Sequence, residues 1–337
     1  MDIEQINPRN EPALAAWHTT VVAADVHGRE DTATPWKLPE VQAELEDQTD
    51  VVRLVFAGIE DGRTMVVAGQ IGMSLRHNLQ QADVAVFVRP EHQRRGHGSR
   101  MLAHLETVAR GHGRSVLNAE ASWPYAGPAD GAGSAGAGFL GAHGFRFGIG
   151  DVMRSLDLPV DDRLLADLAA EAAPHHAAYN LRSWVGRVPV ELEVGWADLV
   201  SSLMVEAPVG DMERERESAD VDELRRRQAT IEAQGRTLFN TVALDPDGWP
   251  VAYSNLATSI HDPDNAFQWG TLVRGEHRGH RLGLAVKVAN LRLFQSTAPV
   301  ATRLRTWNAE VNTHMVGVNE QLGFRPVERL GEFQKRL

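Results

Sequence analysis

The pattern of apolar and polar positions repeats in two distant stretches of the chain, 83–112 and 268–295. Each stretch begins with an apolar run of strand length, passes through a Glu-His pair and a loop rich in Gly and Arg, and ends in an amphipathic helical pattern. Each is followed by a short apolar segment and later by a Gly-Phe pair, at 144–145 and at 323–324. The two stretches lie a domain length apart, so the chain is predicted to contain a duplicated domain.

The segments around the two stretches predict the same order of elements. In the first copy, periodicity predicts a helix over 11–24 and strands over 51–57, 64–73 and 83–88. In the second copy, it predicts a helix over 220–234 and a hairpin of strands over 236–244 and 249–257. Strands and helices in this order predict an α/β fold, with an α+β mixed sheet in each copy.

The length of the chain and one helical segment predict where the domains meet. A chain of 337 residues is long enough for two domains of about 150 residues each. The residues 161–173 have a helical pattern that ends at Pro174. We therefore predict an N-terminal domain over 1–158, a linker helix over 159–177 and a C-terminal domain over 178–337.

Composition excludes several classes of function. The chain has no cysteine, which removes disulfides, thiolate metal sites and a cysteine nucleophile. A net charge of −11 argues against nucleic acid as the main partner, because phosphate binding needs clustered cations. The sequence shows no long apolar run and no signal pattern at its start, so no membrane partner and a cytoplasmic location are predicted. His175-His176 lacks a further ligand at metal spacing, and no metal is predicted.

The loop in the first stretch has the parts of a diphosphate site. It reads Gln-Arg-Arg-Gly-His-Gly over 93–98 and lies between the predicted strand and a helix that begins near Ser99. The start of a helix offers unpaired backbone N–H groups to an anion, and glycines let phosphates approach the backbone. A surface turn with arginines is the competing interpretation. The glycine-rich run 127–138 lacks a following Lys-Ser/Thr and is predicted to be a flexible loop.

This strand, Gln/Arg-x-x-Gly-x-Gly/Ala loop and helix resembles motif A of the Gcn5-related N-acetyltransferase (GNAT) family. The layout resembles that of tandem actinobacterial acetyltransferases of the mycothiol synthase type, although nothing in the sequence indicates that this chain makes mycothiol. The resemblance implies two GNAT domains in tandem with acetyl-CoA as co-substrate. In the first copy it implies a cofactor site formed by Phe87, Val88, Gln93, Arg94, Arg95, Gly96, His97, Gly98 and Ser99.

The second copy departs from the motif at one position. Arg278 matches its first residue and Gly283 its last, but Arg281 stands in the place of the middle glycine. An arginine there adds charge for a phosphate and can equally block its approach. The resemblance implies a second cofactor site formed by Leu272, Val273, Arg278, Gly279, His280, Arg281, Leu282, Gly283, Leu284 and Asn312, of which Asn312 is also predicted to cap a helix.

Catalytic residues are less well indicated, because neither copy has the tyrosine that protonates the leaving thiolate in many relatives. Asn319 and Leu140 stand in its place. The candidate catalytic residues are Asn308, Asn319 and Glu310 in the second copy and Glu120 in the first, with Glu276 and His277 as further proton acceptors. The polar residues over 307–324 favour the second copy as the catalytic one, whereas the first copy has the more regular phosphate loop.

The resemblance implies an acetyl-CoA-dependent N-acetyltransferase, a monomer or homodimer, that acts on a primary amine of a small molecule or peptide. The amine attacks the thioester directly, and a backbone N–H at the end of the strand polarises the carbonyl. A CoA-binding sensor or scaffold without turnover is the alternative, because the tyrosines are missing. A third interpretation, aminoacyl transfer from charged tRNA, is disfavoured by the acidic charge.

Overall fold

The computed structural model describes residues 1–216, 218–297 and 299–337. In chain order, the first part contains β1 (Asp2–Ile6), α1 (Glu11–Val26), α2 (Leu38–Glu46), β2 (Val51–Glu60), β3 (Thr64–Ser74), β4 (Gln81–Val88), α3 (His97–Gly111), β5 (Val116–Pro124), α4 (Ala135–Ala142) and β6 (Arg146–Asp157). The remainder contains α5 (Asp162–Ala172), β7 (Asn180–Val185), α6 (Glu193–Ser201), α7 (Leu203–Glu206), α8 (Val221–Ala233), β8 (Arg236–Leu244), β9 (Pro250–Ser259), β10 (Asp262–Val273), α9 (Leu282–Ser296), β11 (Arg303–Ala309), α10 (Thr313–Gln321) and β12 (Arg325–Arg336).

The elements predicted from periodicity are confirmed, with ends that shift by a few residues. The predicted helix over 161–173 is α5, and the Asp161 side chain caps it by accepting the N–H groups of Arg163 and Leu164. Asp220 caps α8 in the same way, and the hairpin over 236–257 is formed by β8 and β9. The run 127–138 is only in part a loop, because α4 begins at Ala135.

The chain forms two compact units whose limits differ from a single cut near residue 158. Unit 1 contains residues 1–150, 210–212 and 328–337, and unit 2 contains 151–209 and 213–327. Most of β6 therefore lies in unit 2, and most of the last strand, β12, lies in unit 1. No helix in the described parts of the chain is both long and apolar enough to cross a membrane.

Unit 1 is a mixed sheet with the order β1-β2-β3-β4-β5-β12. Its strands pair antiparallel except for β4 and β5, which run parallel and are connected by α3. The helix α3 buries Met101, Leu102 and Leu105 in the core against β3 and β4. This packing holds the start of α3 at the end of β4.

Unit 2 is a mixed sheet with the order β6-β11-β10-β9-β8-β7. Only β10 and β11 run parallel, and α9 connects them. The helix α9 buries Leu284, Val288 and Leu291 in the core of this unit. The two units thus repeat one arrangement, in which a helix connects the single parallel pair of strands.

Candidate functional site

The parallel strands of unit 1 separate partway along their length. The ladder between β4 and β5 runs only from Gln81–Val116 to Asp83–Asn118. Beyond Asp83, β4 continues to pair with β3 as far as Val88, and β5 pairs with β12 as far as Pro124. In the described chain, the edge of β4 towards β5 therefore has no ladder partner over 84–88. The predicted cofactor residues Phe87 and Val88 lie at the end of this open edge.

The predicted phosphate loop follows directly after this open edge. Arg94 and Gly96 adopt the left-handed conformation, with φ of 61° and 82°, and Gly96 is the N-cap of α3. The first N–H to bond within α3 is that of Arg100, to the carbonyl of Gly96. The backbone N–H groups of residues 97–99 therefore have no acceptor within the helix, and together with the dipole of α3 they form an anion site.

Two arginines of this loop are available for a ligand. Arg94 and Arg95 are exposed, and within the described residues neither has an ion pair or a side-chain hydrogen bond. Ser99 is oriented by its hydroxyl, which lies 2.9 Å from Nε2 of His143, while Nε2 of Gln93 donates weakly to the carbonyl of Val88 at 3.4 Å. An anionic ligand would meet two unneutralised guanidinium groups here, and such pairs are the strong class of hydrogen bonds.

Unit 2 repeats the separation of strands. The ladder between β10 and β11 runs from Asn265–Arg303 to Gln268–Thr306, and β10 then continues against β9 to Val273. Leu272 is buried in the core, and Val273 is partly exposed at the end of the strand. The parallel strands therefore separate after three or four residue pairs in both units.

The loop of unit 2 differs in its electrostatics. Arg281 takes the left-handed conformation at the N-cap of α9, with φ of 52°, and forms an ion pair with Glu171. Arg278 donates to Oε2 of Glu206 at 2.8 Å. Nδ1 of His280 lies 3.2 Å from the carbonyl of His175. An incoming phosphate would have to displace two carboxylates, which makes this loop a weaker anion site than that of unit 1.

The asparagines of unit 2 form a buried network around a lysine. Nζ of Lys287, which is 1% exposed, donates to Oδ1 of Asn319 at 2.5 Å, and Nδ2 of Asn319 donates to Oδ1 of Asn308 at 2.5 Å. Burial lowers the pKa of Lys287 to about 7, and the positive charge of Arg154 adds to this effect. Asn319 has no exposed surface, so its amide serves this network and does not reach a ligand in this structure.

The remaining candidates occupy different positions relative to the strand ends. Asn308 is partly exposed on β11 beyond the last parallel pair, and Glu310 is exposed in the turn that follows. Glu120 is exposed on β5, two residues beyond Asn118, where its partner across the ladder is Glu332 of β12. Asn312 is the N-cap of α10, as predicted, and accepts the N–H of Met315 at 3.3 Å.

Two residues beside the loop of unit 1 were missed in the sequence. Phe139 on α4 and His143, the C-cap of that helix, lie against the start of α3, and the His143 ring contacts both Ser99 and the ring of Phe139. The run 127–138, which directly precedes Phe139, was predicted to be a flexible loop because of its glycines. Ser134 is the residue that could have indicated a helix here, because it caps α4 by accepting the N–H of Ala137.

Comparison with known proteins agrees with this geometry. Residues 22–122 match the acetyltransferase (GNAT) family. The structure of a tandem GNAT protein from the clavulanic acid biosynthesis pathway, without AcCoA, has 26% sequence identity and a TM-score of 0.78, over 99% of this chain and 98% of that one. A GCN5-related N-acetyltransferase from Sphaerobacter thermophilus has 14% identity and a TM-score of 0.66, over 99% and 95%. No protein of curated function matches the sequence significantly.

The family match over 22–122 lies within unit 1 and includes the loop between the separating strands, and over its full length the chain has the fold of a tandem GNAT protein.

Proposed function

We propose that the chain is an acetyl-CoA-dependent N-acetyltransferase and that unit 1 binds the cofactor. The observation that carries this proposal is the open edge of β4 over 84–88, followed by a helix N-terminus with two unpaired arginines, Arg94 and Arg95. The diphosphate of CoA would contact the N–H groups of 97–99 and these guanidinium groups. The pantetheine arm would then lie along the open edge of β4, beside Phe87 and Val88.

The reaction requires few groups from the protein. The nitrogen of a neutral primary amine attacks the thioester carbonyl carbon, the C–S bond breaks, and the amine proton leaves for a base. A backbone N–H at the end of β4 would stabilise the developing oxyanion. Glu120 on β5 is the candidate proton acceptor of unit 1, acting directly or through water. The thiolate of CoA takes a proton from solvent, which restores the free thiol.

Unit 2 is the second candidate for turnover. The observation in its favour is the partly exposed Asn308, which lies beyond the last parallel pair of β10 and β11. Its paired arginines weigh against it, because Glu206 and Glu171 already neutralise the guanidinium groups that a diphosphate needs. We therefore assign cofactor binding to unit 1 first.

Turnover is tested by incubating the full chain with acetyl-CoA and a panel of primary amines that covers small metabolites and short peptides. Free thiol is followed, and the expected result is thiol release that depends on at least one amine, with an acetylated product of matching mass. Tight CoA binding by calorimetry without thiol release for any amine would instead support a CoA-binding sensor or scaffold. Absence of CoA binding by the folded wild-type chain would overturn the proposal.

A further inference from the structure

We propose that unit 1 contains a binding site for a divalent transition metal of the zinc type, formed by Glu60, His92 and His97. One ligand atom from each of the three side chains lies within 4.8 Å of the others. Oε2 of Glu60 is 3.9 Å from Nδ1 of His92, and Oε1 of Glu60 is 3.8 Å from Nε2 of His97. Two imidazoles and one carboxylate are a donor set that suits such metals.

The strongest evidence is that the nitrogens of this cluster have no other partner. The side chain of His97 is only 6% exposed, and its Nε2 atom is buried without a hydrogen bond in the described structure. Nδ1 of His92 is likewise buried and unbonded. A buried polar atom without a hydrogen-bond partner is destabilising and uncommon, so two such nitrogens beside one carboxylate require an explanation. A metal ion bound to both nitrogens would supply the missing partner.

The spacing is close to that of a coordinated ion. Ligands about 2.0–2.1 Å from zinc in a tetrahedral arrangement lie roughly 3.4 Å apart. The separations of 3.8 Å and 3.9 Å, which end on different oxygens of Glu60, exceed this value by about half an ångström, and the three ligand atoms lie within 4.8 Å of one another. Side-chain rotations would have to bring them together. The distances are too long for hydrogen bonds between Glu60 and the imidazoles, so a direct bonded network does not account for the cluster. The site offers three protein ligands, which leaves a fourth coordination position for water.

The three ligands lie at the two ends of the phosphate loop and at the end of a neighbouring strand. His92 and His97 flank the loop 93–96, and Glu60 is the last residue of β2. A metal bound by all three would therefore fix both ends of the phosphate loop to the sheet. Because the ligands come from three segments of the chain, spacing along the sequence did not reveal them, and the prediction of no metal was based on the absence of cysteine and on His175-His176.

Metal binding is tested on the untagged full chain, first stripped with a chelator and then titrated with Co²⁺ and Zn²⁺ in the absence of CoA. We expect one metal per chain by elemental analysis, a visible absorption band for Co²⁺ that Zn²⁺ abolishes, and a higher melting temperature with Zn²⁺. Glu60→Gln, His92→Ala and His97→Gln should each weaken binding at least about tenfold. The matched control is His112→Ala, because His112 is an exposed histidine at the other end of α3. This variant should bind metal as the wild type does.

Each outcome decides the proposal. Absence of binding at millimolar metal, or equal affinity in the wild type and all three site variants, overturns it. Glu60→Gln changes a partly exposed side chain and retains its shape, so it decides the matter even if His97→Gln fails to fold. The measurement is independent of acetyl transfer, since it uses no CoA, and a failure here leaves the proposed function untouched.

Discussion

Gly98 at the start of α3 lies against the ring of Phe139, so closely that a Cβ atom on Gly98 would be 3.2 Å from Cε2 of that ring. The same atom would lie 3.3 Å from Cγ2 of Val88, at the end of the open strand. The matching residue of unit 2 is Gly283, where a Cβ atom would lie 3.7 Å from Val273, an ordinary contact. At this motif position, packing therefore restricts the side chain in unit 1 but leaves room for a Cβ atom in unit 2.

This difference predicts opposite effects of one substitution. Gly98→Ala should lower the free energy of unfolding by about 1 kcal/mol or more, because overpacking costs 1–3 kcal/mol in a buried contact. Gly283→Ala should leave it unchanged or raise it by about 0.5–1 kcal/mol, because alanine favours the helix. Urea unfolding of both variants and the wild type measures the two effects. Equal effects at both positions would show that the Phe139 contact does not restrict Gly98.

The arginines of the two loops predict where CoA binds. Replacing both Arg94 and Arg95 with alanine should weaken CoA binding about tenfold, a change of about 1.4 kcal/mol, and reduce its dependence on salt. Arg278→Ala and Arg281→Ala are the matched controls, since these side chains are already paired with Glu206 and Glu171. We expect them to change the affinity by less than about twofold. Calorimetry with CoA at two salt concentrations gives the comparison, and the reverse order of effects would move the cofactor to unit 2.

Some of this site could be predicted from the sequence, because it depends on local patterns. The loop 93–98 and α3 are adjacent in sequence, and the glycine spacing with an amphipathic helix indicates their geometry. The neutralisation of Arg278 could not be predicted, since Glu206 lies 72 residues away. The same holds for Asn319, whose polar character suggested a cleft although it satisfies the buried Lys287.

The strand partners of β6 and β12 are a second feature that local sequence patterns do not predict. β12 pairs with β5 over Glu328–Pro124 to Arg336–Val116, and β6 pairs with β11 over Asp151–Ala309 to Asp157–Arg303. Alternating apolar positions indicate that a strand has a buried face, but they do not identify its neighbour. A cut of the chain at the predicted linker therefore differs from the two compact units, because most of β6 lies in unit 2 and most of β12 lies in unit 1.

Two substitutions test which unit performs turnover. Glu120→Gln should reduce kcat in unit 1 by about a hundredfold or more if it accepts the amine proton, since general-base catalysis contributes about 10²–10⁴-fold. Asn308→Ala should leave kcat within a few-fold while it perturbs the network with Asn319. Steady-state kinetics with the best amine of the panel, together with melting temperatures, separates catalysis from folding. A normal Glu120→Gln variant and an inactive, folded Asn308→Ala variant would place the reaction in unit 2.

The buried Lys287 predicts how stability depends on pH. Its pKa is about 7 in the folded state, against 10.5 for an ordinary lysine, so between these values the unfolded chain binds more protons than the folded one. Under this condition the free energy of unfolding rises with pH, by at most about 1.4 kcal/mol for each pH unit. Below pH 7 the lysine is charged in both states, and this contribution to the slope disappears.

Lys287→Met removes the titrating group while it retains the length and the apolar contacts of the side chain. We expect the unfolding free energy of this variant to change much less between pH 7 and pH 9 than that of the wild type, whatever its value at one pH. The absolute value combines two effects, because methionine removes the cost of burying an ionisable amine and also leaves Oδ1 of Asn319 without its donor. Lys335→Met is the control, since this lysine is 20% exposed and pairs with Glu106 at 2.6 Å, and it should keep the wild-type slope. Urea unfolding at pH 7, 8 and 9 measures the slopes, and parallel curves for the wild type and Lys287→Met would mean that Lys287 does not titrate in this range.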